Sequence, residues 1–299
     1  GKLRGQRRPE AFDFLRECCG GKLILACGVP LAASWGKADY CRIGPDVGLD
    51  WDMKSAKMIH LRERISTRNA IGNTIARRHF SGRYFANDPD VFILRKKKNS
   101  LSPHQKHTLY TINHIFGDLL FTSDNIGSYD AKTMRQYQSS FPALPKDIEK
   151  VEHDGEVYHI WFRIDGRKYF AAANLSRTDQ KIALPAPTMY HHGEGFVEHP
   201  QAVYFKPFET RIYLEFPKGD LGIAGSDLHL FPGCEVQSLT TSADGIAVEM
   251  HPECKLSGTL VLKVSANSSQ IMVNGKSHPV VKKLDDALVI LDVAEGKLS

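Results

Sequence analysis

In the first 143 residues each strand-like stretch runs into a helix-like one, and each strand ends in a polar cluster rich in Asp, Asn or Cys. Few architectures tolerate that pattern, because such ends are where a (β/α)₈ barrel places its active site. Pro9 and Glu10 open a first helix whose apolar residues pair as Ala11-Phe12, Phe14-Leu15 and Cys18-Cys19, a spacing close to the helical period, until Gly20-Gly21 stops it. Residues 22–27 then read as a short apolar strand and residues 38–44 as a second. A long helical segment follows from about Asp52 to Arg78, and a third strand reaches the turn Asn87-Asp88-Pro89-Asp90, with Phe92 to Leu94 apolar behind it. Ser102 and Gln105 frame a capping box with Pro103 at the first helical position. That helix ends near Gly117, residues 118–124 make a fourth strand, and a last helix covers 128–139. A complete barrel needs eight strands and about 250 residues. About four units are present, so the expectation is the C-terminal half of a (β/α)₈ TIM barrel.

From about Lys146 the texture changes to short alternating strands at 157–164, 168–173 and 210–216, with Asp165-Gly166 as a type I′ hairpin signal. A further all-β stretch begins near Lys218, with strands at 246–250, 258–264, 270–273 and 287–292 and a second hairpin turn at Asn274-Gly275. The fold class expected is therefore α/β plus all-β: the half barrel over 1–143, an antiparallel β-sandwich domain over 144–216 and an additional all-β module over 217–299.

The net charge of +5 arises partly from Arg7-Arg8, Arg77-Arg78 and Lys96-Lys97-Lys98, which are scattered and not interleaved with aromatics, so nucleic acid is not an expected partner. None of the six cysteines forms a CxxC pair, their spacing gives no disulfide framework, and a reducing cytoplasm fits best. No apolar run approaches the roughly 20 residues of a membrane span. The chain opens on Gly1-Lys2-Leu3, without an initiator Met or a signal-peptide pattern, and is read as starting inside a longer polypeptide or after a cleavage.

The segments Cys27-Gly28-Val29-Pro30-Leu31, Trp35-Gly36 and Tyr40-Cys41-Arg42-Ile43-Gly44-Pro45-Asp46-Val47 hold the chemistry. Together with Asn87-Asp88-Pro89-Asp90 and Ser123-Asp124 they resemble the α-galactosidases of glycoside hydrolase family 36, over roughly residues 10–216. The resemblance implies a retaining glycosidase that acts on terminal α-linked galactose, needs no cofactor and no metal, and takes an α-galactoside oligosaccharide as substrate. It makes Asp46 the general acid/base, and Arg42, Cys27 and Gly28 contacts to the sugar. The residues agree independently: Arg42 and Asp46 share parity along a strand, and Gly44-Pro45 bends the chain so that Asp46 falls in the loop layer.

A retaining mechanism needs two carboxylates, one protonated and one ionised. The family's nucleophile lies in a Lys-x-Asp type motif on a preceding strand. Only 26 residues precede Cys27, and their Glu10, Asp13 and Glu17 all lie on the first helix, so the chain is expected to lack the nucleophile and to be inactive alone. Galactosyl transfer of the raffinose-synthase kind and α-N-acetylgalactosaminidase activity are enzymatic alternatives. A non-catalytic carbohydrate-binding or structural chain is the alternative of another class, and homo-oligomer formation is left open. Asp88 and Asp90 read as turn-formers, and Asp124 as a structural hydrogen-bonding group. Trp35 and Trp51 flank the pocket region without an assigned role. Arg62, Arg64 and Arg68 read as a solvated or packing face. The cluster His191, His192, Glu194, Glu198 and His199 lacks a helix to set ligand spacing and is not read as a zinc site.

Overall fold

The structure, a computed structural model, describes residues 4–53, 65–198, 202–242, 245–265, 270–283 and 286–298. The chain divides into two units, Gly1–Ser128 and Tyr129–Ser299.

In the first unit, helix α1 (Arg4–Cys19) starts earlier than Pro9, which sits inside it. Strand β1 (Leu25–Ala26), helix α2 (Leu31–Ser34), strand β2 (Tyr40–Arg42), helix α3 (Thr67–Ala76) and strand β3 (Ala86–Asp88) follow. β1, β2 and β3 are parallel neighbours in that order. Parallel pairing requires a crossover between consecutive strands, and the intervening helices supply it. Beyond Pro89 and Asp90 the chain resumes as β4 (Val91–Phe92), which pairs in parallel with β5 (Phe121–Thr122) across α4 (Pro103–Phe116). These are βα units of a partial barrel, and the described strands close no barrel. Of the helix expected over 52–78, the described residues show Thr67–Ala76; residues 54–64, with Arg62 and Arg64, lie outside the described residues.

Local chemistry sets the element ends. The Ser66 hydroxyl accepts from Asn69 N at 3.2 Å and starts α3. Ser102 and Gln105 make the reciprocal capping box at the head of α4. On the face of the parallel sheet towards the helices, Cys41 and Ile43 join Phe12, Ala33 and Phe85 in one apolar cluster. Arg16 donates to Lys37 O and to the Asp39 carboxylate, tying α1 to the start of β2. Phe14 and Leu15 of α1, Leu23 before β1 and Leu25 within it remain exposed.

The second unit opens with α5 (Ala131–Gln138), the helix expected over 128–139. Strands β6 (Asp147–Asp154), β7 (Val157–Ile164), β8 (Arg167–Asn174), β9 (Gln180–Ala183), β10 (Thr188–His191), β11 (Gly195–Glu198), β12 (Ala202–Phe205) and β13 (Thr210–Glu215) follow. Six of them form a sheet in the order β11-β10-β13-β8-β7-β6, with β9 and β12 paired separately. Asp165 and Gly166 both have positive φ, as the type I′ hairpin between β7 and β8 demands. The remaining strands are β14 (Gly222–Ser226), β15 (Val236–Ser242), β16 (Gly245–Met250), β17 (Gly258–Val264), β18 (Gln270–Val273), β19 (Lys276–Pro279), β20 (Val281–Lys283), β21 (Asp286–Ala294) and β22 (Lys297–Leu298). They make a sheet ordered β14-β17-β21-β20, with β22 on β21, and a sheet ordered β15-β16-β18-β19. Residues on either side of position 217 pack together: Phe196 and Phe216 cover Ala224, Val261 and Leu288, and the Tyr169 hydroxyl donates to Pro232 O at 2.8 Å.

Candidate active site

Strand alternation aims the site. Cys41 turns into the helix-side cluster, so Arg42 turns to the opposite face, where its register partner across the parallel pair is Asp88. Arg42 Nε donates to Asp88 Oδ2 at 3.0 Å, one terminal nitrogen reaches Asp90 Oδ1 at 2.9 Å, and the other meets Asp46 Oδ1 at 3.3 Å. The Asp88 carboxylate is fully buried and that of Asp90 nearly so, whereas the Asp46 side chain is 67% exposed. Burial opposes the charge on Arg42, but the two buried aspartates win and hold its proton more firmly than usual. Burial also pushes the Asp90 carboxyl up, against the Val47 N–H and the Arg42 guanidinium.

An open cleft of about 870 Å³ lies at the C-terminal ends of β1 and β2, and Cys27, Gly28, Arg42 and Asp46 all line it. The four residues singled out in the sequence thus share one concavity. Gly28 has φ +68°, a left-handed turn conformation with open space around it, so glycine is required there by conformation and not by crowding. Cys27 is exposed at the rim rather than packed in the core. Of the five N–H groups of a guanidinium, the three carboxylates take three, and no described residue is bonded to the other two on Arg42.

The sequence reading missed Arg8, Asn73 and Arg77, which also line the cleft. Arg8 and Arg77 belong to the scattered arginine pairs to which the sequence assigns no role. Arg77, at the end of α3, turns back and donates to Ile43 O, a contact across 34 positions that periodicity does not reveal. Trp35, by contrast, is not among the lining residues and stacks on Tyr84 with ring centroids 4.3 Å apart. Asp124 is structural: it accepts from Leu94 N and Arg95 N and pairs with the Arg95 side chain at 2.6 Å. Among the described residues no group of three or more His, Cys, Asp or Glu is arranged to hold a metal. His199 lies outside them, and Glu194 is engaged by Arg211 and the Tyr213 hydroxyl.

No family model matches the chain. Among solved structures it is similar to an α-galactosidase from Thermus thermophilus, solved with p-nitrophenyl α-D-galactopyranoside, at 26% identity and TM-score 0.45, over 54% of this chain and 32% of that one. It is also similar to an α-galactosidase from Saccharomyces cerevisiae with raffinose, at 10% identity and TM-score 0.49, over 70% and 67% of the two chains. A family 27 β-L-arabinopyranosidase from Geobacillus stearothermophilus matches at 13% identity and TM-score 0.53, over 71% and 55%. The chain spans 32% of the length of the Thermus enzyme. What the arabinopyranosidase likeness carries is the fold alone: βα units of a partial barrel followed by antiparallel sheets.

Proposed function

We propose that the chain supplies the acid/base half of a retaining glycoside hydrolase acting on terminal α-linked galactose. The observation that carries this reading is the solvent-facing carboxylate of Asp46, held beside Arg42 in the cleft that Cys27 and Gly28 also line. In that reading Asp46 protonates the glycosidic oxygen as the bond breaks and then takes a proton from the incoming water. The two N–H groups of Arg42 that no described residue takes bind hydroxyls of the terminal sugar, and the Cys27-Gly28 turn shapes the pocket wall. The family resemblance of residues 10–216 supplies the choice of galactose. Water as acceptor gives hydrolysis and a sugar hydroxyl gives transfer; the chemistry at Asp46 is the same in both.

Retention of configuration requires a second, ionised carboxylate as nucleophile. Among the described residues Asp46 is the only carboxylate lining the cleft, so the nucleophile is assigned to residues outside it. The same observation favours a second reading, a chain that binds an α-galactoside without cleaving it. Calorimetric titration with methyl α-galactoside, paired with an assay on p-nitrophenyl α-galactoside, tests both. Saturable binding that Arg42→Ala weakens at least tenfold supports the site, and absence of binding rejects it. No turnover is expected from this chain by itself at any pH. Turnover that disappears in Asp46→Asn would show that the nucleophile is present after all.

A further inference from the structure

The turn residues Asp88 and Asp90 account for more than a bend. Their four carboxylate oxygens each take one donor. Asp88 Oδ1 accepts from Asp90 N at 2.8 Å and Asp88 Oδ2 from Arg42 Nε at 3.0 Å. Asp90 Oδ1 meets Arg42 at 2.9 Å, and Asp90 Oδ2 accepts from Val47 N at 2.6 Å. Val47 directly follows Asp46. One carboxylate therefore grips both the sugar-facing arginine and the backbone of the loop that bears Asp46.

Asp90 also adopts φ +75°, a left-handed conformation that is uncommon and costly for a residue with a side chain. Two bonds fix it: its N–H goes to Asp88, and its carbonyl accepts from the buried Asn113 side chain at 3.3 Å. Asparagine tolerates the left-handed region at least as well, so backbone conformation alone does not call for aspartate. Two donors converging on one side chain do. An amide offers a single acceptor oxygen, so an asparagine here would set its NH₂ against either Arg42 or Val47 N–H.

We infer that Asp90 is a positioning residue for this site, setting the Asp46 loop and the Arg42 guanidinium in one mutual geometry. The inference rests on the reading of the cleft as a sugar site. Positioning matters because small displacements of an acid from the atom it protonates sharply reduce the rate.

The test uses the full chain and two readouts. Hydrogen exchange followed by mass spectrometry compares peptides covering 44–50 with peptides covering the β2 strand, and titration with methyl α-galactoside measures affinity. Asp90→Asn is expected to speed exchange in 44–50 at least tenfold, to leave β2 protected, and to weaken the sugar at least tenfold. Asp124→Asn, which removes a buried carboxylate that bonds neither Arg42 nor Val47, is expected to leave 44–50 at wild-type rates and affinity within twofold. If Asp90→Asn fails to fold, Asp90→Gly takes its place, since glycine adopts the left-handed conformation freely. Wild-type exchange in 44–50 in the Asp90 variant, equal loosening in Asp124→Asn, or a loosened loop with unchanged sugar affinity overturns the inference. If the wild-type chain binds no galactoside, the functional reading fails, while the exchange comparison still decides whether Asp90 holds the loop.

Discussion

The second unit buries two titratable groups that oppose each other. His229 is nearly fully buried; its Nδ1 accepts from Phe231 N at 2.9 Å, and its Nε2 faces Pro142 O at 3.1 Å, which fixes the neutral tautomer. Burial lowers its pKa from 6.5 to about 4, against the backbone carbonyls of Pro142 and Phe231 and with help from Lys146 and His251. Glu235 is fully buried, accepts from Gly233 N at 3.0 Å through Oε2, and its Oε1 has no hydrogen-bond partner among the described residues. Burial raises its pKa from 4.5 to about 7, against the Ser226 hydroxyl, the Gly233 N–H and Arg167. The Tyr169, Tyr190, Cys234 and Cys254 side chains also feel its charge. Glu235 binds its proton more tightly in the folded chain, so its contribution to stability is complete below pH 4.5 and is lost as pH rises through about 7. His229 binds its proton more weakly in the folded chain, so its contribution is complete above pH 6.5 and is lost as pH falls through about 4. At about 1.4 kcal/mol per pH unit each effect is roughly 3 kcal/mol, with opposite signs over nearly the same window. The two slopes cancel, and removing one partner exposes the other. Relative to wild type, Glu235→Gln should lose roughly 3 kcal/mol of stability between pH 7 and pH 4, and His229→Gln should lose a similar amount in the reverse direction. Urea unfolding followed by Trp161 fluorescence, in a Trp35→Phe, Trp51→Phe background, measures both. Variants whose stability runs parallel to wild type over that range refute the compensation.

Three further outcomes are expected. A Cβ on Gly117 would lie 2.6 Å from Asn113 O and 2.7 Å from Pro89 Cγ, so Gly117→Ala should destabilise the first unit by about 1–3 kcal/mol through overpacking; an unchanged urea midpoint followed by Trp51 fluorescence, in a Trp35→Phe, Trp161→Phe background, contradicts this. Ser102→Ala removes the acceptor of the α4 capping box and should cost about 1 kcal/mol, read from the same midpoint, with no loss meaning that the cap is idle. In a trypsin time course the unit Gly1–Ser128 should be cut before Tyr129–Ser299, because β1 has β2 as its only partner among the described strands, and Leu25 within it and Leu23 before it are exposed. Equal rates for the two units contradict that reading.

Much of the fold was legible in the sequence because its signals are local. Ser102, Pro103 and Gln105 act within one helical turn, Asp165-Gly166 and Asn274-Gly275 within one hairpin, and each carries its own conformational requirement. The strands at 258–264 and 270–273 have the bounds that their alternation implied. The composition of the cleft was legible in part, since Cys27-Gly28 and Arg42 to Asp46 lie at the ends of neighbouring strands. Tertiary structure decided what parity and spacing do not encode. Arg42 lies 46 residues from Asp88 in the chain, yet parallel register sets them opposite each other. Whether that arginine faced a sugar or a carboxylate depended on which strand paired with β2. Asp90 passed for a turn-former because its turn is local, while its two acceptor contacts reach back across the sheet to Arg42 and Val47. Arg77 joined the cleft only when α3 folded back onto Ile43. His229 and Glu235 gave no sequence signal at all, because their proton affinities are set by the water that packing excludes, and packing is a property of the assembled sheets.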